Sequence, residues 1–215
     1  FIAIAYLLLA CHGIILINYS YWAEFIGPVM GVIVAGGIVG ALFSLTGSIG
    51  FRRRFLAEIA SLEFHQDNKV LKVILNLKGS WPGHKAGQFA FINFDDDEGP
   101  HPFTISSSWK NDGQLDLMIK GLGDYTKQLP KNLKIGSKVH VEGPYGEFNF
   151  HSEKEQQIWV AGGIGITPFI SRMQMLAESQ HHKKIDLFYS TSEPDESFIA
   201  SIKKSADKAN INLHL

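Results

Sequence analysis

Two apolar runs open the chain, and a change of period follows them. Residues 1–17 (FIAIAYLLLACHGIILI) and 25–51 (FIGPVMGVIVAGGIVGALFSLTGSIGF) carry no Asp, Glu, Lys or Arg. A spanning helix needs about 20 apolar residues. The second run satisfies this length, and the first does if it begins before Phe1. From Phe55 onward apolar and polar positions alternate in short stretches: FLAEIASLEFH, KVLKVILNLK, GQFAFINF, HPFTISSS, QLDLMIKGL and KVHVEGPYGEF, separated by Gly, Pro and Asn/Asp turns. Six such strands predict a small antiparallel barrel, interrupted by a short helix over 124–133. After Phe150 the pattern becomes strand, loop and helix: QQIWVA, GGIGITP, FISRMQMLAES, KIDLFYST, a helix over 197–210, and INLHL. Alternating β and α units predict a parallel sheet with crossover helices. The expected fold is therefore multi-domain: two transmembrane α-helices (1–54), a six-stranded antiparallel β-barrel (55–150) and an incomplete α/β parallel-sheet domain (151–215).

Charge sharpens this division. Residues 1–51 hold one acid, Glu24, and the first basic residues are Arg52, Arg53 and Arg54. The connector NYSYWAEF is aromatic and free of Lys and Arg, which suits an outer interface. FRRRF (51–55) reads as a cytoplasmic end with three headgroup-anchoring arginines, so the remainder of the chain is expected in the cytoplasm and the protein in the membrane as a multi-pass chain. Gly31, Gly36, Gly37 and Gly40 read as helix-packing positions. With a net charge of −1 and no basic stripe along the sequence, nothing points to a nucleic-acid partner. A lone cysteine, Cys11, excludes an intrachain disulfide and a cysteine metal cluster. Phe1 and the strand-like INLHL read as the ends of an internal fragment. DDDEG (95–99) lacks calcium-loop spacing and reads as a solvated loop. His181 and His182 read as surface residues at a helix end.

Four stretches are candidates for chemistry. His12 interrupts an apolar run, and an ionisable residue there is either a satisfied core histidine or a ligand. WVAGGIGITPFIS (159–171) runs a buried strand into Gly162, Gly163 and Gly165 and then a helix, where backbone N–H groups can meet an anion; a plain tight turn explains it equally. Thr167 can cap that helix or bind phosphate, and Pro168 suits its first turn. GPHPFTISSS (99–108) places Pro102 at an edge or bulge. It also groups Thr104, Ser106, Ser107 and Ser108 beside Phe103, a pairing that fits a flat heteroaromatic ligand or a solvated edge. IKGLGDYTKQL (119–129) puts Gly121 and Gly123 before a helix with Thr126 in its first turn, either a second phosphate cradle or ordinary capping by Asp124. No Ser-His-Asp constellation or catalytic carboxylate pair can be placed.

In their order along the chain, HPFTISS, IKGLGDYT, EGPYGEF and VAGGIGITPFIS resemble the ferredoxin–NADP reductase superfamily, and most closely its membrane branch of ferric reductases and NADPH oxidases. The resemblance covers 55–215 and implies an FAD-binding barrel followed by a nicotinamide-nucleotide domain. It implies that Phe103 lies against the isoalloxazine, that Thr104 hydrogen-bonds near its reactive nitrogen, and that His101 and Pro102 complete the motif, with His101 facing the diphosphate. Ile119, Lys120, Gly123, Asp124, Tyr125 and Thr126 would hold FAD. Gly162, Gly163, Gly165, Ile166, Thr167 and Pro168 would hold the phosphates of NADPH or NADH. Soluble members usually carry arginine where His101 stands, which leaves Lys120 to compensate the diphosphate charge. The superfamily's C-terminal segment does not follow Leu215. The first helix looks like the branch's haem helix, with His12 as an axial ligand of the outer haem b. Its companion ligand is expected upstream of Phe1, and partner histidines on another helix are absent. The implied activity is electron transfer from cytosolic NAD(P)H through FAD and haem to a ferric chelate or O₂ across the bilayer. A membrane-anchored flavin reductase without haem, and a catalytically silent membrane subunit, are the alternatives.

Overall fold

The computed structural model of the chain describes residues 2–17, 19–47, 50–95, 97–179 and 183–215. Asp96 of the acidic loop, and the pair His181–His182, lie outside them. The chain divides into two units, Phe1–Arg52 and Arg53–Leu215.

The first unit holds three helices: α1 (Ile2–Leu16), α2 (Tyr19–Ala23) and α3 (Ile26–Leu45). Among the described residues only α3 is both long and apolar enough to cross a membrane. Its 20 residues reach about 30 Å, the depth of a hydrocarbon core. The 15 described residues of α1 reach about 22 Å, short of that depth. Of the two expected spans, one thus meets the criterion. Both helices are apolar on every side, as lipid-facing helices are. The Tyr6 hydroxyl donates to Val34 O at 3.4 Å. A Cβ at Gly37 would collide with the same Tyr6 ring, and one at Gly31 would touch the Trp22 ring at 3.6 Å, so these two of the four expected glycines pack against a neighbour. Gly36 and Gly40 face open space.

The second unit begins with strands β1 (Arg54–His65), β2 (Val70–Lys78), β3 (Phe89–Asn93), β4 (His101–Thr104), β5 (Gln114–Lys120) and β6 (Lys138–Tyr145). They form one antiparallel sheet in the order β4-β3-β6-β1-β2-β5. Its two outer strands are drawn together just past β4: Ile105 bridges Leu117, and Ser106 N donates to Asp116 O at 2.9 Å. That contact closes the six strands into the expected barrel. Inward positions alternate along the strands, and Ile59, Val73, Leu75, Ile92, Leu115 and Leu117 are fully buried. Pro102 sits on β4, the last strand in the hydrogen-bonded order, where its missing N–H costs no ladder bond.

β1 starts one residue earlier than the alternation suggests. Arg54 is the first residue of β1, opposite Glu142, and its Nε donates to Glu142 Oε2 at 2.7 Å. The Arg53 guanidinium lies over the Tyr145 ring and donates to Pro144 O at 3.4 Å. These two arginines, expected at lipid headgroups, are instead joined to β6.

After β6 come β7 (Gln156–Gly162), α5 (Thr167–Ala177), β8 (Lys184–Ser190), α6 (Glu196–Lys208) and β9 (Asn212–His214). The three strands are parallel and ordered β7-β8-β9, as the βα alternation predicts. One face is buried through Trp159, Ala161, Leu187 and Tyr189, which share a core with Phe169, Met173, Phe198 and Ile202 of the helices. Asp195 caps α6 by accepting from Phe198 N at 2.8 Å.

Candidate functional site

A cleft of about 540 Å³ opens between the barrel and the α/β half. Its barrel wall is β4 with the end of β5 and the start of α4 (Asp124–Asn132). The facing wall is the glycine turn after β7. His101, Pro102, Phe103, Thr104, Ile119 and Lys120 all line it, as do Gly123, Asp124, Tyr125, Thr126, Gly165, Thr167 and Pro168. Stretches separated by more than 60 positions in sequence therefore meet in one place. Of the expected set, Gly162, Gly163 and Ile166 are not among the lining residues. Ile166 is fully buried in the α/β core, so its side chain serves packing.

The β4 segment is ordered by aromatic contacts. The His101 ring stacks on Tyr125, with centroids 4.3 Å apart and planes 20° from parallel. Phe103 leans on Phe94 at 6.0 Å. His101 Nε2 is buried and has no protein partner, a polar atom with desolvation uncompensated from within the fold. Burial, with the Asp95 and Glu98 carboxylates nearby, pushes the Tyr125 phenol up.

The β5–α4 loop is closed by Thr126. Its Oγ1 accepts from Leu122 N and Gly123 N, both at 3.1 Å, and donates to Gly123 O at 3.2 Å. Gly123 is the N-cap, and Thr126, rather than Asp124, supplies the capping side chain. The Thr126 hydroxyl therefore shapes the backbone of the cradle, while the first N–H groups of α4 stay free of intrahelical partners.

The glycine turn after β7 is a 3₁₀ segment, Gly163–Ile166, running straight into α5. Gly163 has φ +50°, a conformation that suits glycine. A Cβ at Gly123, Gly162, Gly163 or Gly165 would meet no atom within 4 Å, so open space stands before each of them. The Thr167 hydroxyl donates to Ile164 O at 3.1 Å, closing the turn. No side chain caps α5, so the expectation that Thr167 would cap it does not hold.

Lys120 lines the cleft, and its ammonium pairs with the β8–α6 loop. Its Nζ lies 2.7 Å from Glu193 Oε2, while Lys69 Nζ lies 2.6 Å from Glu193 Oε1. The two lysines hold the Glu193 carboxyl down to about 2.

The serines beyond Thr104 are not a solvated edge. Ser106, Ser107 and Ser108 are buried and lie outside the cleft. Ser107 O accepts from Ser171 Oγ at 2.7 Å and faces His84 Nε2 at 2.9 Å. Ser108 N donates to Gln174 Oε1 at 2.9 Å. This segment joins the barrel to α5. His84, which no sequence motif marks, sits between Trp81 and Trp109. Burial lowers its basicity, opposed by the Ser107 hydrogen bond.

His12 lies on α1 with an exposed side chain. Among the described residues no group of three or more His, Cys, Asp or Glu side chains could hold a metal ion.

Residues 54–149 match the FAD-binding domain family. Ferric reduction oxidase 4 of Arabidopsis thaliana is 38% identical over 118 residues, 53% of this chain and 16% of the relative. Methane monooxygenase component C of Methylosinus trichosporium is 28% identical over 151 residues, 67% of this chain and 44% of the relative. The chain thus spans less than half the length of either. Ferredoxin-NADP+ reductase from Plasmodium falciparum has a similar structure, with TM-score 0.62 and 24% identity over 76% of this chain and 70% of its own. The closed antiparallel barrel, the parallel sheet behind it and these similarities agree: residues 54–149 are an FAD-binding domain whose sequence is similar to ferric reduction oxidases, and the second unit has the fold of a ferredoxin–NADP reductase.

Proposed function

We propose that this chain is the reductase portion of an NAD(P)H-dependent flavoprotein oxidoreductase held in the membrane, with the FAD-binding domain at 55–150 and the nucleotide-binding domain at 151–215. The observation that carries the reading is the single cleft shared by the HPFT strand, the GLGDYT loop and the GGIGITP turn. When bound, FAD takes two electrons as hydride from the nicotinamide and passes them on singly. The chain's residues supply placement and charge. Phe103 and Thr104 offer one ring and one hydroxyl to the flavin, and the unpartnered His101 Nε2 fits a polar ligand atom. Free N–H groups at the start of α4 and the open space before Gly123 suit the FAD phosphates. Gly162–Pro168 suits the phosphates of the nicotinamide nucleotide in the same way.

Membrane electron transfer to haem b, and from there to a ferric chelate or O₂, is the extended form of this proposal, with His12 as one axial ligand. Imidazole is a fitting haem ligand, but His12 is the only histidine in residues 1–52, so these helices do not complete a haem site and no step is derived through one. The second reading is an anchored NAD(P)H flavin reductase without haem.

The test is spectroscopic. The full chain in detergent should take up FAD, oxidise NADPH or NADH, and pass electrons to a ferric chelate. Failure to bind FAD would overturn the proposal. With its natural membrane partners present, a reduced haem α-band lost on His12→Ala supports the haem-linked form. An α-band untouched by that change rules out His12 as the ligand, and flavin absorbance alone supports the second reading.

A further inference from the structure

Glu193 pairs with two lysines, one of which lines the cleft. Lys120 ends β5, lines the cleft, and has a side chain only 12% exposed. Lys69 lies in the turn between β1 and β2, is held in a left-handed conformation (φ +56°), and its carbonyl accepts from Gly121 N at 3.0 Å. The turn and the glycine loop are thus one fastened piece, and both lysines converge on one carboxylate from the loop after β8. A carboxylate has two oxygens and can satisfy two ammonium groups at once. Here each lysine takes a different oxygen. The neighbouring His65 approaches Ser197 Oγ at 3.0 Å and packs edge-on against Phe198, so the loop stays docked without the ion pairs.

We propose that Glu193 is a positioning residue that competes with the cofactor's diphosphate for the Lys120 ammonium. With no anion in the cleft, Glu193 neutralises Lys120. An anion there takes up Lys120, and Lys69 keeps the released carboxylate paired. The design lets a largely buried lysine stand beside an anion site without an unpaired charge in the empty cleft, which would be costly. This inference rests on the flavin reading above.

The experiment is a titration of the full chain in detergent with FAD, read by quenching of flavin fluorescence, at low and high salt. Glu193→Gln should tighten FAD binding about two- to five-fold at low salt, the range of a partly exposed ion pair, and less at high salt. Lys120→Met should weaken binding, and adding Glu193→Gln to it should then change nothing. Lys69→Met should act in the opposite sense to Glu193→Gln, because Glu193 then holds Lys120 alone. Equal or weaker binding by Glu193→Gln would overturn the inference. So would tightening that persists in the Lys120→Met background, which would mark a general charge effect. A parent chain that takes up no FAD would overturn the flavin reading itself, and this inference with it.

Discussion

Removing Ser171 Oγ and the His84 ring together should cost more than the sum of removing each. Both face one acceptor, Ser107 O, from opposite sides of the barrel–α5 junction. A carbonyl can only accept, so His84 Nε2 carries its proton, and Nδ1, buried without a partner, is bare. Ser171→Ala alone leaves the carbonyl paired with His84, and a single neutral hydrogen bond is worth about 1 kcal/mol. His84→Phe keeps the ring volume between Trp81 and Trp109 and leaves the carbonyl paired with Ser171, again costing about 1 kcal/mol. The double variant strands a buried carbonyl, whose desolvation penalty is about 1–3 kcal/mol. The coupling should therefore be about 1 kcal/mol or more beyond additivity. Urea unfolding of the four proteins, followed by tryptophan fluorescence, measures it, since Trp81 and Trp109 flank the His84 ring. Additivity within about 0.5 kcal/mol would refute the shared-acceptor argument.

The same histidine sets a pH dependence. Its native basicity is lowered by burial from the ordinary value of 6.5, so the unfolded chain binds the proton more readily. Stability from His84 should be complete above about pH 6.5 and fall as the pH drops below it, and His84→Phe should flatten that limb of the thermal-unfolding profile. Gly165→Val should leave thermal stability nearly unchanged, because its side chain meets open space, while weakening dinucleotide binding at least about ten-fold by calorimetry. Arg54→Met should lower stability by about 0.5 kcal/mol through loss of the half-exposed pair with Glu142, an effect that 1 M salt erases in a melting experiment.

The features readable in the sequence are the local ones. Alternation over 69–78 and 114–120 carried the barrel strands because each inward residue there is packed by its own strand's pleat. The cleft was readable for the same reason: each of its walls is a short contiguous motif. Most of the failures are non-local. Ser106–Ser108 look like surface residues, and only closure onto β5 and docking of α5, 64 positions away, bury them. His84 is invisible because its partner lies 23 positions on. Arg54 reads as a membrane anchor until Glu142, 88 residues later, is placed opposite it. Thr126 and Thr167 were found as residues but not in their roles, since both hydroxyls turn back on their own loops.

Those two threonines show how a hydroxyl can fix a glycine loop while its backbone stays open to the cleft. A loop of glycines before a helix has several backbone conformations of similar energy, and ordering it on binding would cost roughly 1–2 kcal/mol per residue. Thr126 ties two N–H groups and one carbonyl of its loop to a single oxygen, and Thr167 ties its turn through Ile164 O. Each loop is thus fixed from within by a side-chain oxygen. The glycines leave the space and the threonines remove the freedom. Neither residue type would make such a loop by itself: glycine alone leaves it mobile, and a larger side chain in its place fills the open space in front of it.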